Sequence, residues 1–325
     1  MKKRNLFKVS ALGLALLVTA CGGTETGGNT GDTFDTSKKI TLYSRESGSG
    51  TRECFFEGIG YKDVAKENKW EKGVTVSTKA ANSDLMSAVG NDEYAIGYCS
   101  LDSLSSVNTI KGVKYEGVEA TEANVLNGTY KLKRNFNYVI RNYENPADKS
   151  KKEAVEGFIA FLTTTTEGQA VIKANGGIVE RRNDLVSFSS IAKNYPVFSS
   201  TETVTIDFCG STSVEKIVKA ASEKLVTLIS NKKVQYKLNQ TGSGDAVTGV
   251  TTGKNGKEFG IGFLSREIKT DEASQLTEAN IKGAFAIDAV VPIVNVKNTK
   301  FTETTAAQLT SIYKGEKTVW SDVIA

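Results

Sequence analysis

The stretch SRESGSGT (Ser44–Thr51) decides how the folded part of this chain is interpreted. It follows the β-branched run Lys39–Tyr43, which predicts a strand, and it leads into Arg52–Phe56, where we expect a helix to begin. The start of a helix has backbone N–H groups without intrahelical partners and a partial positive charge. A strand that turns through Gly and Ser into a helix therefore favours a bound anion.

Two further stretches repeat this pattern. CGSTS (Cys209–Ser213) lies between the run Thr203–Phe208 and the helical pattern Val214–Ile229, and QTGSGD (Gln240–Asp245) follows the run Val234–Leu238. One such loop indicates only N-capping by Ser or Thr, but three in one chain, one with an arginine, predict a shared oxyanion. None has the Gly-Lys-Ser/Thr sequence of a P-loop.

From Ile40 onward, short β-branched runs alternate with helical patterns, which predicts an α/β fold with helices on both sides of the sheets. Within residues 214–229 the apolar residues recur at helical spacing and mark one buried face. Further strands are predicted at Tyr94–Tyr98, Phe136–Ile140 and Ala289–Val296, and further helices at Glu153–Thr163 and Ala306–Ile312.

The composition excludes several classes of enzyme. The 325 residues suffice for two domains or two lobes of one fold. The chain has no histidine, which excludes a Ser-His-Asp triad, a Cys-His pair and a His-ligated metal. Its four cysteines form no C-x-x-C pair, so a thiolate zinc site has little support. We expect no catalytic residue, no metal and no cofactor.

The first twenty residues have the pattern of a secretory signal. Four basic residues precede the apolar run Val9–Ala20, which is too short to span a bilayer as a helix. Without these four, the 41 basic residues become 37, equal to the 37 acidic ones. The bulk charge of the remaining chain thus gives no reason to expect nucleic acid or an anionic membrane surface as a partner.

Cys21 stands at the end of this signal. The sequence Val18–Cys21 resembles the lipobox of bacterial lipoproteins, which implies cleavage before Cys21 and lipidation of its sulfur. The alternative is ordinary cleavage after an A-x-A-like site, with Cys21 left free. Residues 22–38 are rich in Gly, Thr and Asp, which indicates a flexible tether. An anchor with a tether predicts a folded part that works outside the cytoplasmic membrane.

The segment SRESGSGTR (Ser44–Arg52) resembles the phosphate-binding component of bacterial phosphate ABC importers. The resemblance covers nearly all of residues 39–325. In the common order of that family, the SRE-GSGT segment follows the WSDV segment, whereas here it opens the folded part and WSDV closes the chain. The order resembles a circular permutation. Further similar segments are Ala95–Leu101, Phe158–Leu162, Glu167–Gln169, Val234–Gly244, Ile261–Glu267, Ala286–Asn295 and Leu309–Val323.

The resemblance implies a type II periplasmic-binding-protein-like α/β fold, with two lobes, two crossover strands and a ligand cleft between the lobes. One lobe would comprise residues 39–135 with 290–325, and the other residues 136–289. The crossovers would fall near Arg134–Val139 and Asp288–Val291, and hinge closure around the ligand is the expected motion.

The resemblance also implies the ligand, inorganic phosphate, and the residues that meet it. Arg45 would offer a bidentate, charge-assisted fork that suits a tetrahedral oxyanion. Hydroxyl and backbone N–H groups would supply the other donors. The implied phosphate-binding residues are Arg45, Ser49, Gly50 and Thr51 from one lobe and Thr212, Ser213 and Ser243 from the other.

Two positions depart from the family pattern. Many members have an aspartate where this chain has Ser47, and better-studied members have one in the segment that reads Phe263–Glu267 here. Such an aspartate accepts the proton of hydrogen phosphate and so rejects sulfate, which has no proton to donate at neutral pH. Arg266 is either a second cationic ligand or an ion-pairing residue bound to Glu267 or a neighbour. Candidate proton acceptors are Glu46, Asp245 and Glu267, each of which also fits a solvated surface carboxylate.

We therefore predict a monomeric solute-binding lipoprotein that delivers phosphate to the membrane permease subunits of an ABC importer, and no enzyme. The alternatives are a binder of another oxyanion, such as sulfate or molybdate, and an adhesin or signalling lipoprotein that kept the fold and lost the ligand. The odd number formed by Cys54, Cys99 and Cys209 favours free thiols, although a Cys54–Cys99 pair stays possible on spacing.

Overall fold

A computed structural model describes residues 34–67 and 69–324, and the chain from Phe34 onward forms one compact unit. The predicted signal peptide, Cys21 and most of the predicted tether lie outside the described residues. Within the described part, every helix is too short or too polar to cross a bilayer.

Nine strands of the described chain form one mixed sheet in the order β2-β1-β3-β10-β6-β9-β7-β8, with β4 also paired to β10, while β5 and β11 pair separately. The strands are β1 Thr41–Arg45, β2 Val76–Lys79, β3 Ala95–Ser100, β4 Ile110–Gly112, β5 Lys114–Tyr115, β6 Lys133–Ile140, β7 Val204–Gly210, β8 Val234–Gln240, β9 Ile261–Leu264, β10 Lys282–Asn295 and β11 Glu303–Thr304.

Helices connect these strands. They are α1 Gly50–Gly58, α2 Lys62–Glu67, α3 Asn82–Asn91, α4 Leu101–Leu104, α5 Glu122–Leu126, α6 Lys149–Thr164, α7 Thr166–Ala174, α8 Phe188–Ile191, α9 Glu215–Leu228, α10 Asp245–Val250, α11 Thr270–Ala273 and α12 Ala306–Tyr313. Short 3-10 turns occupy Pro146–Asp148, Ala192–Asn194, Pro196–Phe198, Thr212–Val214 and Trp320–Asp322.

Two large hydrophobic cores lie in two lobes. The first core draws its buried residues mainly from 34–132 and 289–320, and we call the elements around it the first lobe. The second core draws its buried residues from 136–286, and the elements around it are the second lobe. A smaller cluster, which includes Val139, Val247 and Leu264, extends the second lobe. The two-lobe α/β architecture expected from the sequence is confirmed.

The strands β6 and β10 pass between the lobes. Residues Lys282–Ala289 of β10 pair with β6, and residues Val290–Val294 pair with β3 in the first lobe. One continuous strand therefore serves both halves of the sheet. This is the place where the sequence predicts two crossover strands.

An ion pair lies between these two strands. Asp288 and Arg134 face each other in the antiparallel register, and Asp288 Oδ2 accepts from Arg134 Nε at 3.0 Å and from Nη2 at 2.7 Å. Both side chains are almost fully buried, and Asp288 Oδ1 and Arg134 Nη1 have no hydrogen-bond partner. Burial raises the pKa of the Asp288 carboxyl, and the charge of Arg134 offsets part of this effect.

Each predicted element is observed, although its ends differ from the prediction; α9, for example, is one residue shorter at each end than the predicted 214–229. The predicted strand at Ala289–Val296 is the second half of β10, which begins at Lys282. The predicted helix at Glu153–Thr163 is the middle of α6. The sequence did not predict the strands β2 and β9, which have four residues each, or β4, β5 and β11, which have two or three.

Candidate functional site

Each of the three Gly/Ser loops begins a helical segment, as predicted. The side chain of Ser49 caps α1 by accepting from Arg52 N at 3.4 Å. The side chain of Ser211 accepts from Ser213 N at 3.1 Å where the 3-10 turn before α9 begins. The third loop leads into the short helix α10 through Gly244 without a side-chain cap. The strands β7 and β8 are parallel neighbours, so the second and third loops leave the sheet at the same edge, whereas the first loop comes from β1 in the other lobe.

The loops of the two lobes meet one another. Thr51 Oγ1 in the first lobe lies 2.9 Å from Ser213 Oγ in the second. Gly244 N donates to Gly48 O at 3.3 Å. At Gly50, a side-chain Cβ would lie 2.5 Å from Ser265 Oγ and 2.7 Å from Ser243 Oγ. Only glycine fits there, so Gly50 allows hydroxyl groups of the second lobe to approach the start of α1.

Arg45 is buried beside these loops, and most of its donors are already in use. Its Nε donates to Lys79 O, its Nη1 to Asn82 Oδ1 at 2.7 Å, and its Nη2 to Ala80 O at 2.7 Å. Across the cleft, Nη2 also donates to Thr212 Oγ1 at 3.4 Å. The guanidinium group is therefore held in place by the first lobe and reaches the second with one edge.

The three candidate proton acceptors lie in different surroundings. Glu46 accepts from Arg45 Nη2 at 2.9 Å, so it adjoins the charged residue of the loops. Asp245 forms an ion pair with Lys254 at 2.5 Å and accepts from Thr241. Glu267 is exposed and accepts from the Asn135 amide at 3.0 Å. Of these three carboxylates, Glu46 is the one whose side chain contacts a predicted phosphate-binding residue, Arg45.

The structure adds polar residues that the sequence reasoning missed. Ser265 is fully buried and accepts from Ser211 Oγ at 2.8 Å, while its N–H donates to Ser243 Oγ at 3.1 Å. Asn82 accepts from Arg45, and its amide donates to Ser213 Oγ at 3.4 Å. Ser265 lies inside a segment that carried the family resemblance, directly after the residues Ile261–Leu264, and a hydroxyl at the end of a buried strand is the signal that could have identified it.

Arg266 is an ion-pairing residue and not part of the hydroxyl cluster. Its Nη1 and Nη2 donate to the two carboxylate oxygens of Glu272 at 2.7 and 2.6 Å, and its Nε lies 2.7 Å from Glu53 Oε2. The carboxylate of the adjacent Glu267 does not pair with Arg266, although the backbone carbonyl of Glu267 accepts from Arg266 Nη1. Of the two alternatives for Arg266, ion pairing is the one observed.

The ionisable tyrosine and cysteine side chains near the loops are protonated, and therefore uncharged, at neutral pH. Tyr98 OH accepts from Arg45 N at 2.9 Å, and burial raises the pKa of Tyr98 to about 12. Cys54, Cys99 and Cys209 are free thiols, as expected. Burial raises the pKa of Cys54 and Cys209 to about 12, which keeps both protonated at neutral pH. Among the described residues, no group of three or more Cys, Asp or Glu side chains is arranged to hold a metal ion.

Comparison with known proteins gives a consistent result. A family model described as a PBP superfamily domain matches residues 32–166 and 197–325. The phosphate-binding protein PstS 2 of Streptococcus agalactiae is 33% identical over 301 residues, which cover 91% of this chain and 92% of that protein. PstS 2 of Streptococcus pneumoniae is 28% identical over 326 residues, which cover 99% and 100% of the two chains.

A solved structure of a phosphate-binding protein is similar to this chain in fold. The crystal structure of a phosphate-binding protein of a phosphate ABC transporter from Streptococcus pneumoniae superimposes with a TM-score of 0.62 at 27% sequence identity. The superposition covers 88% of this chain and 100% of that chain.

Proposed function

Because the chain belongs to the PBP superfamily, and within it to the family of phosphate-binding proteins, we propose that it binds inorganic phosphate for an ABC importer. It would capture the anion outside the cytoplasmic membrane and deliver it to the permease subunits. The observation that carries this proposal is the meeting of the Gly/Ser/Thr loops of both lobes, with Thr51 Oγ1 2.9 Å from Ser213 Oγ.

The chemistry of the loops supports an oxyanion as the ligand. Most of the proposed donors are neutral hydroxyl groups and the N–H groups at the start of α1. Arg45 supplies the one positive charge that is held in place beside them. Hydrogen bonds to a charged group contribute about 1.5–3 kcal/mol each. Several of them support micromolar binding, about −8 kcal/mol, after the cost of lobe closure. The proposed ligand residues remain Arg45, Ser49, Gly50, Thr51, Thr212, Ser213 and Ser243.

The targeting and the arrangement of segments belong to the same proposal. We propose that the sulfur of Cys21 is lipidated and that the predicted tether of residues 22–38 links it to the folded part, although its residues 34–38 pack against the first lobe, where Phe34 is buried. The lobes would divide at the positions given by the resemblance, with residues 39–135 and 290–325 in one and 136–289 in the other. The circularly permuted order stays a prediction; the nearly end-to-end alignment with PstS 2 of Streptococcus pneumoniae supports a shared order in the two chains.

Calorimetric titration of residues 34–325 with phosphate, and then with sulfate and molybdate, near pH 7.5 tests this function. We expect micromolar phosphate binding and no heat with sulfate. Gly50→Ala should abolish phosphate binding, because the added methyl group would collide with Ser265 and Ser243, while the helix itself accepts alanine readily.

Ser47→Ala is the matched control, because Ser47 is an exposed residue of the same loop. It should bind phosphate as the wild type does. Tight sulfate or molybdate binding would give the chain a different oxyanion, and no heat with any of the three anions would favour the adhesin or signalling role.

Glu46 is the proposed acceptor of the phosphate proton, because it adjoins Arg45 and the other two candidates pair elsewhere. Glu46→Gln should lower the preference for phosphate over sulfate by roughly tenfold or more, since the amide no longer repels a fully deprotonated anion. Competition calorimetry measures the ratio. An unchanged ratio in Glu46→Gln, together with a lowered one in Asp245→Asn or Glu267→Gln, would move the role to that residue.

A further inference from the structure

The carboxylate of Glu53 lies between two cations of the opposite lobe. Glu53 belongs to the first turn of α1, and its side chain is 5% exposed. Lys269 Nζ donates to Glu53 Oε1 at 2.8 Å, and Arg266 Nε lies 2.7 Å from Oε2. These contacts join the first lobe to the second. Glu53 and Lys269 are 216 positions apart in the sequence.

Arg266 is oriented by its own lobe. Glu272 accepts from both of its terminal nitrogens, and the same carboxylate accepts from Lys269 N at 3.0 Å. The contact between Arg266 Nε and Glu53 is a charge contact only, because this buried N–H has no hydrogen-bond partner. The second lobe therefore presents a prearranged positive site, and Glu53 is the group that enters or leaves it.

The contact acts directly on the anion loops. Glu53 lies three residues after Gly50 in the first turn of α1. Arg266 follows Ser265, whose hydroxyl lies against Gly50. Moving Glu53 away from Arg266 therefore separates the two segments that the proposed phosphate site needs side by side.

We propose that Glu53, Arg266 and Lys269 form a latch across the lobes, in which Glu53 and Arg266 are positioning residues for the anion loops. The inference rests on the proposed function for its ligand but not for its geometry. When the lobes part, Glu53 becomes hydrated and Arg266 keeps Glu272. Because the desolvation of a buried pair offsets much of its attraction, the latch biases closure without locking it.

Removing the negative charge of Glu53 should destabilise the closed form more than the open form. In Glu53→Gln the closed form keeps Lys269 Nζ and Arg266 Nε facing each other without the carboxylate that lay between them, whereas in the open form Lys269 is hydrated and Arg266 keeps Glu272. The variant therefore destabilises closure selectively. We expect the dissociation rate constant of phosphate to rise roughly 10- to 100-fold, with an association rate constant within about threefold of the wild type.

Stopped-flow measurement of both rate constants on residues 34–325 tests this. Glu258→Gln is the control, because it removes the exposed Arg141–Glu258 ion pair, which lies within the second lobe. It should leave both constants unchanged. Adding Lys269→Gln to Glu53→Gln removes the surplus positive charge and should recover part of the loss, which a purely structural role of Glu53 would not produce. Unchanged dissociation in Glu53→Gln would overturn the latch.

A second measurement keeps the latch separate from the ligand. Small-angle X-ray scattering of the ligand-free proteins should give a larger radius of gyration for Glu53→Gln than for the wild type and for Glu258→Gln. If the wild type binds no phosphate but this difference is found, the proposed function fails and the latch stands. Equal radii in all three proteins would overturn the latch, whatever the ligand.

Discussion

The Arg134–Asp288 pair and the Lys216–Asp102 pair both join parts of the molecule that flank the cleft, but they differ in burial and in connectivity. The side chains of Arg134 and Asp288 are 3% and 1% exposed, on the paired strands β6 and β10. Lys216 is 59% exposed, and its Nζ lies 3.1 Å from Asp102 Oδ1. Asp102 belongs to α4 in the first lobe, and Lys216 belongs to α9 in the second.

The difference teaches which interactions hold the fold and which only accompany closure. In the hinge motion that the resemblance implies, we expect β6 and β10 to stay hydrogen-bonded, so that the buried pair persists in both forms. The exposed pair joins two helices of different lobes, and we expect it to break when the lobes part. Two ion pairs of similar length thus have different consequences, because one is buried inside a continuous sheet and the other faces water.

The largest expected effect follows from breaking the buried pair. Asp288→Asn leaves the Arg134 charge buried without its counter-ion, which should lower the free energy of unfolding by about 3–5 kcal/mol. Urea denaturation of residues 34–325 measures it. Replacing both partners, with Arg134→Met and Asp288→Leu, should recover most of this loss, because no buried charge remains. A loss below about 1 kcal/mol for Asp288→Asn would mean that water reaches the pair.

The smallest expected effect follows from breaking the exposed pair. Asp102→Asn should change the free energy of unfolding by less than about 1 kcal/mol, because water and salt screen the charges. The phosphate dissociation rate constant should change by less than about threefold. The same denaturation and stopped-flow experiments measure both quantities. A tenfold change in dissociation would make this pair a second latch and remove the distinction between buried and exposed pairs.

The sequence was sufficient to predict most strands and the three Gly/Ser loops, because both are local signals. The strand Val204–Gly210 begins with three β-branched residues, and the glycines beside Ser211 and Ser243 stand where the chain turns into a helix. The family resemblance added the two lobes and a set of ligand residues. β9 escaped prediction because its four residues are buried on both sides and show no alternation.

The side-chain contacts between the two lobes could not be predicted from the sequence. Glu53 looks like any acidic residue in the first turn of a helix, and Arg266 offered only Glu267 or a neighbour as a partner. Their pairing depends on how the lobes pack, which no local pattern contains. The same holds for Arg45, whose guanidinium donates to Lys79 O, Ala80 O and the Asn82 side chain. The resemblance implied an arginine at the loops but not the first-lobe acceptors that hold its donors.

The long strand β10 has a consequence for the order in which the chain folds. The second core comes from one continuous stretch, residues 136–286, and can form as soon as that stretch has emerged. The first core needs residues near the N-terminus together with residues 289–320, so it waits for the end of the chain. The part of the first lobe that is synthesised first is therefore among the last to become native. Until β10 pairs with β3, one edge of β3 lacks its partner strand, and this edge needs protection from aggregation.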